Sequence, residues 1–477
     1  MNDEVFNLNF RTLIEKQREF FEQGNTKSLQ FRLSMLHKLQ DAVKNHEGLF
    51  YEAMKKDMNK CPMEVYMTET GIVSEELSLH IHRLSGWMRD KRVPTPIAQF
   101  PAKSFISPEP YGVALIMSPW NYPVQLCLLP LIGAISAGCT AVVKPSAYAP
   151  AAGHAIAQVL RSIYPEEYIA VVEGGREQNT ALLEERFDYI FFTGSPAVGR
   201  LVMESAAKHL TPITLELGGK SPVIVDKTAN IKIAARRIAF GKVLNAGQTC
   251  VAPDYLFIHR DVKEDFIKLY KSALNEFFPD GTMDDMNIII NEKHFERVSG
   301  LLGSGKIVAG GKTDRKRRFV EPTLLDEVCF DAPIMKEEIF GPVLPMISYS
   351  DIRECTDYIV KHPKPLALYL FTEDSSVEKH VLNKCSFGGG CINDTIIHIA
   401  NSRMGFGGVG DSGIGSYHGK KSFDTFTHYR SIVKKAAWLD IPVRYRPYSK
   451  IKYKLLRRIL GNSVGNSGIP GTDLRVP

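Results

Sequence analysis

The spacing of hydrophobic and polar residues gives the first part of the chain a helical pattern. Residues 7–59 are densely charged, and their apolar residues recur at helical spacing, which predicts two helices. A third helix is predicted over residues 77–90, and the prolines that follow it end helical structure. The apolar positions of the second helix are Leu29, Phe31, Leu33, Leu36, Leu39 and Val43.

From residue 111 onward, short apolar runs alternate with segments of helical length. Strands are predicted at 113–117, 140–144, 169–172 and 189–192, and helices at 123–137, 150–161 and 196–208. Such alternation predicts βαβ units around a parallel sheet. A second series of strands and helices starts at residue 222 and continues to about residue 395. The predicted fold class is therefore α/β, with a second domain that carries the later series.

Composition and charge are those of a globular protein with two or three domains. Of 477 residues, 44% are hydrophobic and 23% are charged, and the net charge of +6 gives no argument for nucleic-acid binding. The eight cysteines form no CxxC pair and have no zinc-ligand spacing, which predicts reduced thiols, a cytoplasmic location and no structural metal. The first residues have no signal-peptide pattern, and no apolar run reaches the roughly 18–20 residues that span a bilayer.

A cysteine and a glutamate provide the two reactive groups of a thioester mechanism. Cys250 is the last residue of the motif at 245–250 (NAGQTC). Glu216 is the first residue of the motif at 216–222 (ELGGKSP) and lies 34 positions before Cys250. A thiol must lose its proton to attack a carbonyl, and a carboxylate can accept that proton and later one from a hydrolytic water. The pair indicates oxidation of an aldehyde. An isolated cysteine is more often a buried structural residue, so the interpretation depends on the surrounding motifs.

Further motifs accompany these two. They are 119–123 (PWNYP), 142–146 (VVKPS), 192–199 (FTGSPAVG) and 337–342 (EEIFGP). The six motifs occur in the order found in the NAD(P)-dependent aldehyde dehydrogenases, which the chain resembles from about residue 10 to about residue 435. Residues 406–413 (FGGVGDSG) and 417–426 (YHGKKSFDTF) resemble the class 3 branch, whose members include fatty- and aromatic-aldehyde dehydrogenases.

The resemblance implies a role for each catalytic residue. Cys250 is the expected nucleophile, and the side-chain amide of Asn121 and the backbone N–H of Cys250 are the expected donors to the alkoxide that forms after attack. Glu216 is the expected base in hydrolysis of the thioester. The implied reaction converts an aldehyde, medium- or long-chain aliphatic or aromatic, to its carboxylate through a thiohemiacetal and a thioester. Two alternatives remain open: a CoA-acylating enzyme, although such relatives typically lack this glutamate, and a non-catalytic scaffold at a membrane surface.

NAD or NADP is the implied cofactor, without a metal. A glycine-rich turn between a predicted strand and a predicted helix suits the pyrophosphate, because a helix N-terminus favours anions. The implied cofactor-binding residues are Lys144, Ser146, Gly194, Ser195, Gly199, Glu338, Phe340 and Trp120. Trp120 is also interpreted as a packing residue beside Asn121, and Tyr122 as one that can line the aldehyde channel.

Position 147 departs from the family pattern. The family usually has a glutamate three residues after the lysine of the VVKPS motif, where it binds the ribose 2′-hydroxyl, and this chain has Ala147. A carboxylate there repels the 2′-phosphate of NADP and an alanine does not. The sequence therefore makes NADP more plausible than in an average relative, while NAD stays open.

The resemblance also implies the domain organisation. A Rossmann-like cofactor domain is expected at 1–96 and 111–216, and an α/β catalytic domain at 217–395. A β-arm that bridges domains and mediates oligomerisation is expected at 97–110 and 396–445, and it implies a homodimer. Residues 446–477 are expected to form a basic amphipathic helix and a mobile tail.

The basic segment near the end of the chain allows two interpretations. Residues 441–460 contain seven Arg or Lys and no acid, and Ile451, Leu455 and Ile459 recur every four positions. This composition is typical of a helix on an anionic membrane surface. The other interpretation, which we favour at this point, is that the apolar face packs on the protein itself or on a partner subunit. The expected location is cytoplasmic, with peripheral membrane contact through 450–460 as the alternative.

Overall fold

A computed structural model describes residues 3–461, with side-chain surroundings from Phe10 onward. The strands of the described residues are β1 (Lys91–Val93), β2 (Ala102–Pro110), β3 (Val113–Met117), β4 (Thr140–Lys144), β5 (Ile169–Val171), β6 (Tyr189–Gly194), β7 (Ile213–Leu217), β8 (Pro222–Val225), β9 (Tyr255–His259), β10 (Lys306–Ala309), β11 (Thr313–Asp314), β12 (Phe319–Val320), β13 (Thr323–Asp326), β14 (Val343–Tyr349), β15 (Ala367–Phe371), β16 (Gly389–Ile392), β17 (Gly413–Ile414) and β18 (Thr427–Lys435).

The α-helices cover most of the remaining described residues. They are α1 (Asp3–Glu22), α2 (Leu29–Asn45), α3 (Glu47–Met58), α4 (Pro62–Val65), α5 (Gly71–Trp87), α6 (Gln125–Ala137), α7 (Pro150–Ile163), α8 (Arg176–Glu184), α9 (Pro196–Ala207), α10 (Ile231–Val243), α11 (Lys263–Phe277), α12 (Glu292–Gly300), α13 (Pro333–Lys336), α14 (Ile352–Lys361), α15 (Ser375–Lys384), α16 (Lys420–Thr425) and α17 (Lys450–Gly461). A π-helical turn, Tyr66–Thr70, joins α4 to α5.

The helical first part contains three helices where the sequence predicted two. The prediction missed the break between α2 and α3, where His46 leaves the helical conformation while its N–H still bonds to the carbonyl of Ala42. A bend that keeps this bond does not interrupt the apolar spacing, so the pattern continues across it. The third predicted helix is α5, which starts and ends a few residues earlier than expected.

A six-stranded sheet forms the first α/β part, with the order β17-β7-β6-β3-β4-β5. All pairings are parallel except that of β17 with β7. The central strands β3 and β4 are buried at every residue, as expected for a parallel sheet covered on both faces. Helix α6 is also buried along its whole length, because nearly all of its side chains are apolar.

A seven-stranded sheet forms the second α/β part, with the order β10-β13-β14-β9-β8-β15-β16. Its pairings are parallel except that of β10 with β13. An apolar core packs on it and includes Phe257, Ile347 and Leu370. The predicted α/β class and the parallel arrangement are confirmed. Cys250 lies in the connection that leads into β9, at the centre of this sheet.

Two compact units make up the described chain. The larger contains the residues up to 87 and residues 110–427, and therefore both α/β sheets. The smaller contains residues 88–109 and the residues from 428 onward, with the three-stranded sheet β1-β2-β18 and α17. Residues 396–427, which the sequence assigned to the arm, belong to the larger unit because β17 pairs with β7, Gly413 opposite Glu216. The functional division into domains stays a prediction.

The predicted basic helix near the end of the chain is present as α17. Lys452 anchors it within the smaller unit, since its Nζ donates to the carbonyls of Tyr445 (2.9 Å) and Pro447 (3.0 Å). Ile451 nevertheless keeps 80% of its surface exposed and Leu455 keeps 43%. The predicted tail beyond it, 462–477, lies outside the described residues. Among the described helices, none has the length and apolarity required to cross a membrane.

Candidate active site

The connection before Cys250 has an unusual backbone that its sequence permits. Asn245, Ala246 and Gly247 all have positive φ, at 52°, 51° and 68°. A Cβ at position 247 would lie 2.3 Å from the carbonyl oxygen of Gly341, so only glycine fits there. The Gln248 side chain then fixes the turn, because its amide donates to the carbonyls of Asn245 and Ile288, each at 3.1 Å. The NAGQTC motif thus holds the cysteine in one position.

Cys250 is partly exposed to two cavities and is uncharged in the resting protein. Burial raises the pKa of its thiol, and the nearby carboxylates of Glu338 and Glu216 raise it further. The thiol therefore needs a base or a bound electrophile before it reacts. The other cysteines of the described residues line neither cavity.

Asn121 lies beside the cysteine loop, as the sequence predicted. It follows β3 in a segment without regular secondary structure and is 3% exposed. Its Nδ2 donates to the carbonyl of Gln248 at 3.1 Å, and this bond directs the amide toward the loop that carries Cys250. The second hydrogen of the same amide is available to a substrate oxygen.

Glu216 is a buried carboxyl group on β7. It is 2% exposed, and neither carboxylate oxygen has a hydrogen-bond partner. Burial without a partner raises the pKa of Glu216 well above the ordinary value, which makes its carboxylate a stronger base than an exposed one. A buried acceptor without partners is a common feature of functional sites, because stability alone gives no reason to keep it.

A cavity of about 700 Å³ in the larger unit is lined by these three residues together with residues of β6, β7 and α9. Eight of the predicted site residues line it: Cys250, Glu216, Asn121, Trp120, Gly194, Ser195, Glu338 and Phe340. The rings of Trp120 and Phe340 pack edge to face at 5.3 Å. Burial, together with the charge of Asp254, raises the pKa of Glu338 to about 8. The hydroxyl of Thr193, which the prediction missed, is buried in the same wall without a partner.

The N-terminus of α9 borders this cavity. Ser195 caps the helix, with its Oγ accepting from the Val198 N–H at 3.4 Å, and Pro196 occupies the first helical position. Gly199 does not line the cavity, but a Cβ there would lie 2.7 Å from the Leu217 side chain. Its role in the structure is to let α9 approach β7. The helix dipole at this start favours an anionic group.

Lys144 and Ser146 lie outside the cavity lining. Lys144 ends β4 and is 3% exposed, and its Nζ donates to the carbonyls of Pro145 (2.7 Å) and Gly174 (2.6 Å). Burial lowers the pKa of Lys144 to about 8. The Ser146 hydroxyl accepts from the Tyr148 N–H at 3.2 Å, and Ala147 beside it is exposed. Contact of these residues with a cofactor therefore stays a prediction.

A second cavity, of about 140 Å³, reaches Cys250 from another direction. Its walls are mainly apolar and come from four distant segments of the larger unit. They include Met67, Ile72, Leu126, Phe240, Leu244, Ile396, Ile399 and Ala400. Tyr122 lines it, as suggested from the sequence, and its hydroxyl lies 2.6 Å from Thr249 Oγ1. Sequence reasoning missed the rest, because isolated apolar residues carry no spacing signal.

The chain is similar to proteins of known class over nearly its full length. The model of the aldehyde dehydrogenase family matches residues 8–432. The chain is 47% identical to the 4,4′-diaponeurosporen-aldehyde dehydrogenase of Staphylococcus aureus, over 93% of this chain and 98% of that protein. It is 42% identical to aldehyde dehydrogenase family 3 member B1 of Mus musculus, over 94% of this chain and 96% of that one.

Solved structures give the same result for the fold. A substrate-bound state of Staphylococcus aureus AldH superposes with a TM-score of 0.93 at 46% identity, over 94% of this chain and 99% of that chain. No group of three His, Cys, Asp or Glu residues in the described part of the chain is arranged to hold a metal. The chain belongs to the aldehyde dehydrogenase family, on its class 3 branch, and is an oxidoreductase.

Proposed function

We propose that the protein oxidises an apolar aldehyde to its carboxylate with NAD⁺ or NADP⁺, through a thiohemiacetal and a thioester on Cys250. One observation carries the proposal: Cys250 lines both cavities. One cavity supplies the buried Glu216 and Asn121, and the other supplies apolar walls. A sulfur at such a junction can meet an aldehyde from one side and a cofactor from the other.

The larger cavity fits a dinucleotide. The helix dipole at the N-terminus of α9 suits a pyrophosphate, and the partnerless Thr193 hydroxyl and the half-buried Glu338 carboxyl group suit ribose hydroxyls. Trp120 and Phe340 provide a packed aromatic wall beside them. When bound, the nicotinamide cofactor accepts the hydride, that is, the aldehyde hydrogen with its electron pair.

The residues of the chain perform the other steps. Cys250 Sγ forms a bond to the aldehyde carbon, and its proton passes to Glu216, directly or through water. The resulting alkoxide accepts hydrogen bonds from Asn121 Nδ2 and the Cys250 N–H, which typically stabilise the transition state by about 3–4 kcal/mol. After hydride loss, Glu216 releases the thiol proton to solvent and then accepts a proton from a water that attacks the thioester. The carbon–sulfur bond breaks, the sulfur takes the proton from Glu216, and the product acid releases its own proton to solvent, which leaves the carboxylate and a free thiol.

The apolar lining of the second cavity supports apolar aldehydes as substrates. Its walls offer few polar groups to an aldehyde chain, and burial of each CH₂ group contributes about 0.8 kcal/mol. The Staphylococcus aureus relative is named for a diaponeurosporen aldehyde. We therefore propose medium- and long-chain aliphatic or aromatic aldehydes.

The test is formation of reduced cofactor, followed by its absorbance, with alkanals of increasing length and with or without coenzyme A. The proposal requires turnover without coenzyme A and a kcat/KM that rises with chain length. Turnover that depends on coenzyme A would establish the acylating alternative. Absence of turnover with all aldehydes and both cofactors, in a protein that still binds cofactor, would establish the scaffold alternative.

We propose that the protein is cytoplasmic and that its smaller unit makes peripheral contact with an anionic membrane surface. Residues 88–109 and 428–461 carry fourteen Lys or Arg and three Asp or Glu. On α17, the exposed Ile451 and Leu455 accompany Lys454 and Arg458. Sedimentation with anionic and with neutral vesicles tests this at low and at high salt. Equal sedimentation with both vesicle types, or none with either, would contradict the proposal.

We also propose a homodimer. The three-stranded sheet β1-β2-β18 ends in β18, whose residues are mostly exposed, and an exposed strand edge is a ready site for pairing. Light scattering during size-exclusion chromatography measures the mass. A monomer at the concentrations used for activity would contradict the proposal.

A further inference from the structure

The segment that carries Asn121 depends on other parts of the chain for its position. Residues 118–124 connect β3 to α6 without regular secondary structure. The segment is nonetheless buried apart from partial exposure at 119 and 120. An irregular buried segment needs partners for its backbone groups, and those partners determine where the Asn121 amide lies.

A buried ion pair holds this segment from one side. Lys60 Nζ lies 2.8 Å from Glu69 Oε1, and both side chains are fully buried. Lys60 Nζ also lies 3.5 Å from the Asn121 carbonyl oxygen and 4.3 Å from the centre of the Tyr122 ring. The cation thus contacts the carboxylate, the carbonyl and the ring at once.

The same glutamate fixes the end of the segment. Its second oxygen, Oε2, accepts from the N–H groups of Val124 (2.8 Å) and Gln125 (3.1 Å). These N–H groups stand at the start of α6, where the helix dipole favours a negative charge. Glu69 itself lies in the π-helical turn Tyr66–Thr70, a conformation that is rare and frequent at functional sites.

A second group of polar residues ties the segment to the cysteine loop. Asn245 Nδ2 donates to the Asn121 carbonyl at 2.9 Å, and Asn121 Nδ2 donates to the Gln248 carbonyl at 3.1 Å. Glu64 Oε1 accepts from the Asn245 N–H (2.9 Å) and from Asn287 Nδ2 (3.0 Å). The Asn121 carbonyl is therefore contacted by Asn245 and Lys60 together.

We propose that Lys60 and Glu69 are positioning residues that hold the Asn121 amide where it donates to the alkoxide. The inference rests on the proposed function, in which Asn121 is that donor. Neither residue lines either cavity, so both act through Asn121. A purely structural ion pair would stabilise the fold and would not affect the chemical step selectively.

The test is a double-mutant cycle between Glu69 and Asn121, with kcat, cofactor dissociation constant and Tm measured for each variant. Asn121→Ala should lower kcat about 10²–10³-fold, the usual loss for one oxyanion donor. Glu69→Gln, which can no longer accept from both Lys60 and the α6 amides, should lower kcat about 10–100-fold with the dissociation constant within about twofold. In the double variant, kcat should lie within about threefold of Asn121→Ala alone, because both changes remove the same interaction.

Two further variants separate positioning from folding. Lys60→Met/Glu69→Gln removes both members of the buried pair, so neither is left as an unpaired charge; it serves if Glu69→Gln fails to fold, and it should show the same selective loss of kcat. Lys263→Met removes another ion pair, Lys263 Nζ to Asp326 Oδ2 at 2.7 Å, between residues that line neither cavity. It should lower Tm while leaving kcat within about twofold.

Independent, multiplicative losses in the cycle would overturn the positioning role while leaving Asn121 as the donor. The positioning role would also be overturned if the kcat of Glu69→Gln were no lower than the kcat of Lys263→Met. Wild-type kcat in Asn121→Ala would instead overturn the donor role assumed in the proposed function.

Discussion

The two cavities that meet at Cys250 differ in size, in chemistry and in the way the sequence encodes them. The larger cavity, of about 700 Å³, is lined by residues of the family motifs, including Asn121, Glu216 and Glu338. The smaller, about 140 Å³, is lined by scattered apolar residues such as Leu244 and Ile399. On the proposed function, this difference separates two tasks: motif residues on one side perform the chemistry, and the scattered residues on the other select the aldehyde. Variants of the first should affect all aldehydes alike, and variants of the second should depend on chain length.

The largest effect is expected at the sulfur that the two cavities share. Cys250→Ser replaces the thiol by a hydroxyl that ionises far less readily, so dehydrogenase activity should be abolished with every aldehyde. Cofactor binding, measured by fluorescence titration, should stay close to wild type. More than a trace of turnover would show that another group is the nucleophile.

The next largest effect is expected at Glu216, on the larger cavity. Glu216→Gln removes the base of the hydrolysis step, so steady-state turnover should fall about 10²–10⁴-fold for short and long aldehydes alike. Mass spectrometry of the quenched protein should detect an acyl group on Cys250, and a first burst of reduced cofactor should survive at a lower rate, because Glu216 also accepts the thiol proton. Turnover at the wild-type rate would exclude this role.

A smaller effect is expected at the exposed Ala147, where a substitution should change the preference between NAD and NADP. Ala147→Glu restores an acceptor for the 2′-hydroxyl of NAD and repels the 2′-phosphate of NADP, an effect of about 1–3 kcal/mol. The kcat/KM ratio of NADP to NAD should fall about 10–100-fold, mainly through a higher KM for NADP. In the wild type we expect kcat/KM for NADP to be at least comparable to that for NAD. A strictly NAD-dependent wild type, or an unchanged ratio in the variant, would exclude position 147 as the discriminator.

A change confined to the smaller cavity should discriminate between substrates. Ala400 lines it and is itself exposed, so Ala400→Trp narrows the cavity without overpacking the core. We expect kcat/KM for a long alkanal to fall about tenfold, since several buried CH₂ groups lose contact, and that for a short one to stay within about twofold. Ala207→Trp, at an exposed position that lines neither cavity, is the matched control. An equal loss of kcat/KM for both aldehydes would show that the smaller cavity does not select substrates by chain length.

The last expected effect concerns stability rather than catalytic rate: a pH dependence of unfolding from Glu338. Its pKa is raised to about 8 in the folded protein against 4.5 ordinarily, so the folded state retains a proton that the unfolded state releases. The free energy of unfolding therefore falls as pH rises from about 5 to 8. Glu338→Gln should remove that part of the slope, a difference on the order of a few kcal/mol at high pH. Parallel Tm curves for wild type and variant would contradict this.

The same contrast explains what could be predicted from the sequence. Cys250, Asn121 and Glu216 stand in local motifs, and such motifs exist because a turn or a close approach requires particular residues, as at Gly247. The alternation of apolar runs likewise predicted both α/β series. Packing surfaces formed by distant segments have no such local signature, so the smaller cavity was not foreseen.

Two further features have local causes. The sequence predicted Lys144 as a cofactor-binding residue, and that contact stays a prediction, but the sequence did not show that the Nζ is bonded to the carbonyls of Pro145 and Gly174. Spacing shows that a lysine ends a strand, but it does not show which carbonyl groups fold back toward it. The buried pair of Lys60 and Glu69 was missed for the same reason, because its partners are separated in sequence from the segment that they hold.

On the proposed function, the apolar wall of the smaller cavity also affects the release of the product. The aldehyde would enter as an uncharged molecule, and its carbonyl group would be converted beside Cys250 into an anion. An anion gains nothing from apolar side chains and loses the hydration that it would have in water. The walls that retain the substrate therefore disfavour the product, so release of the carboxylate and resistance to product inhibition follow from the composition of the cavity itself.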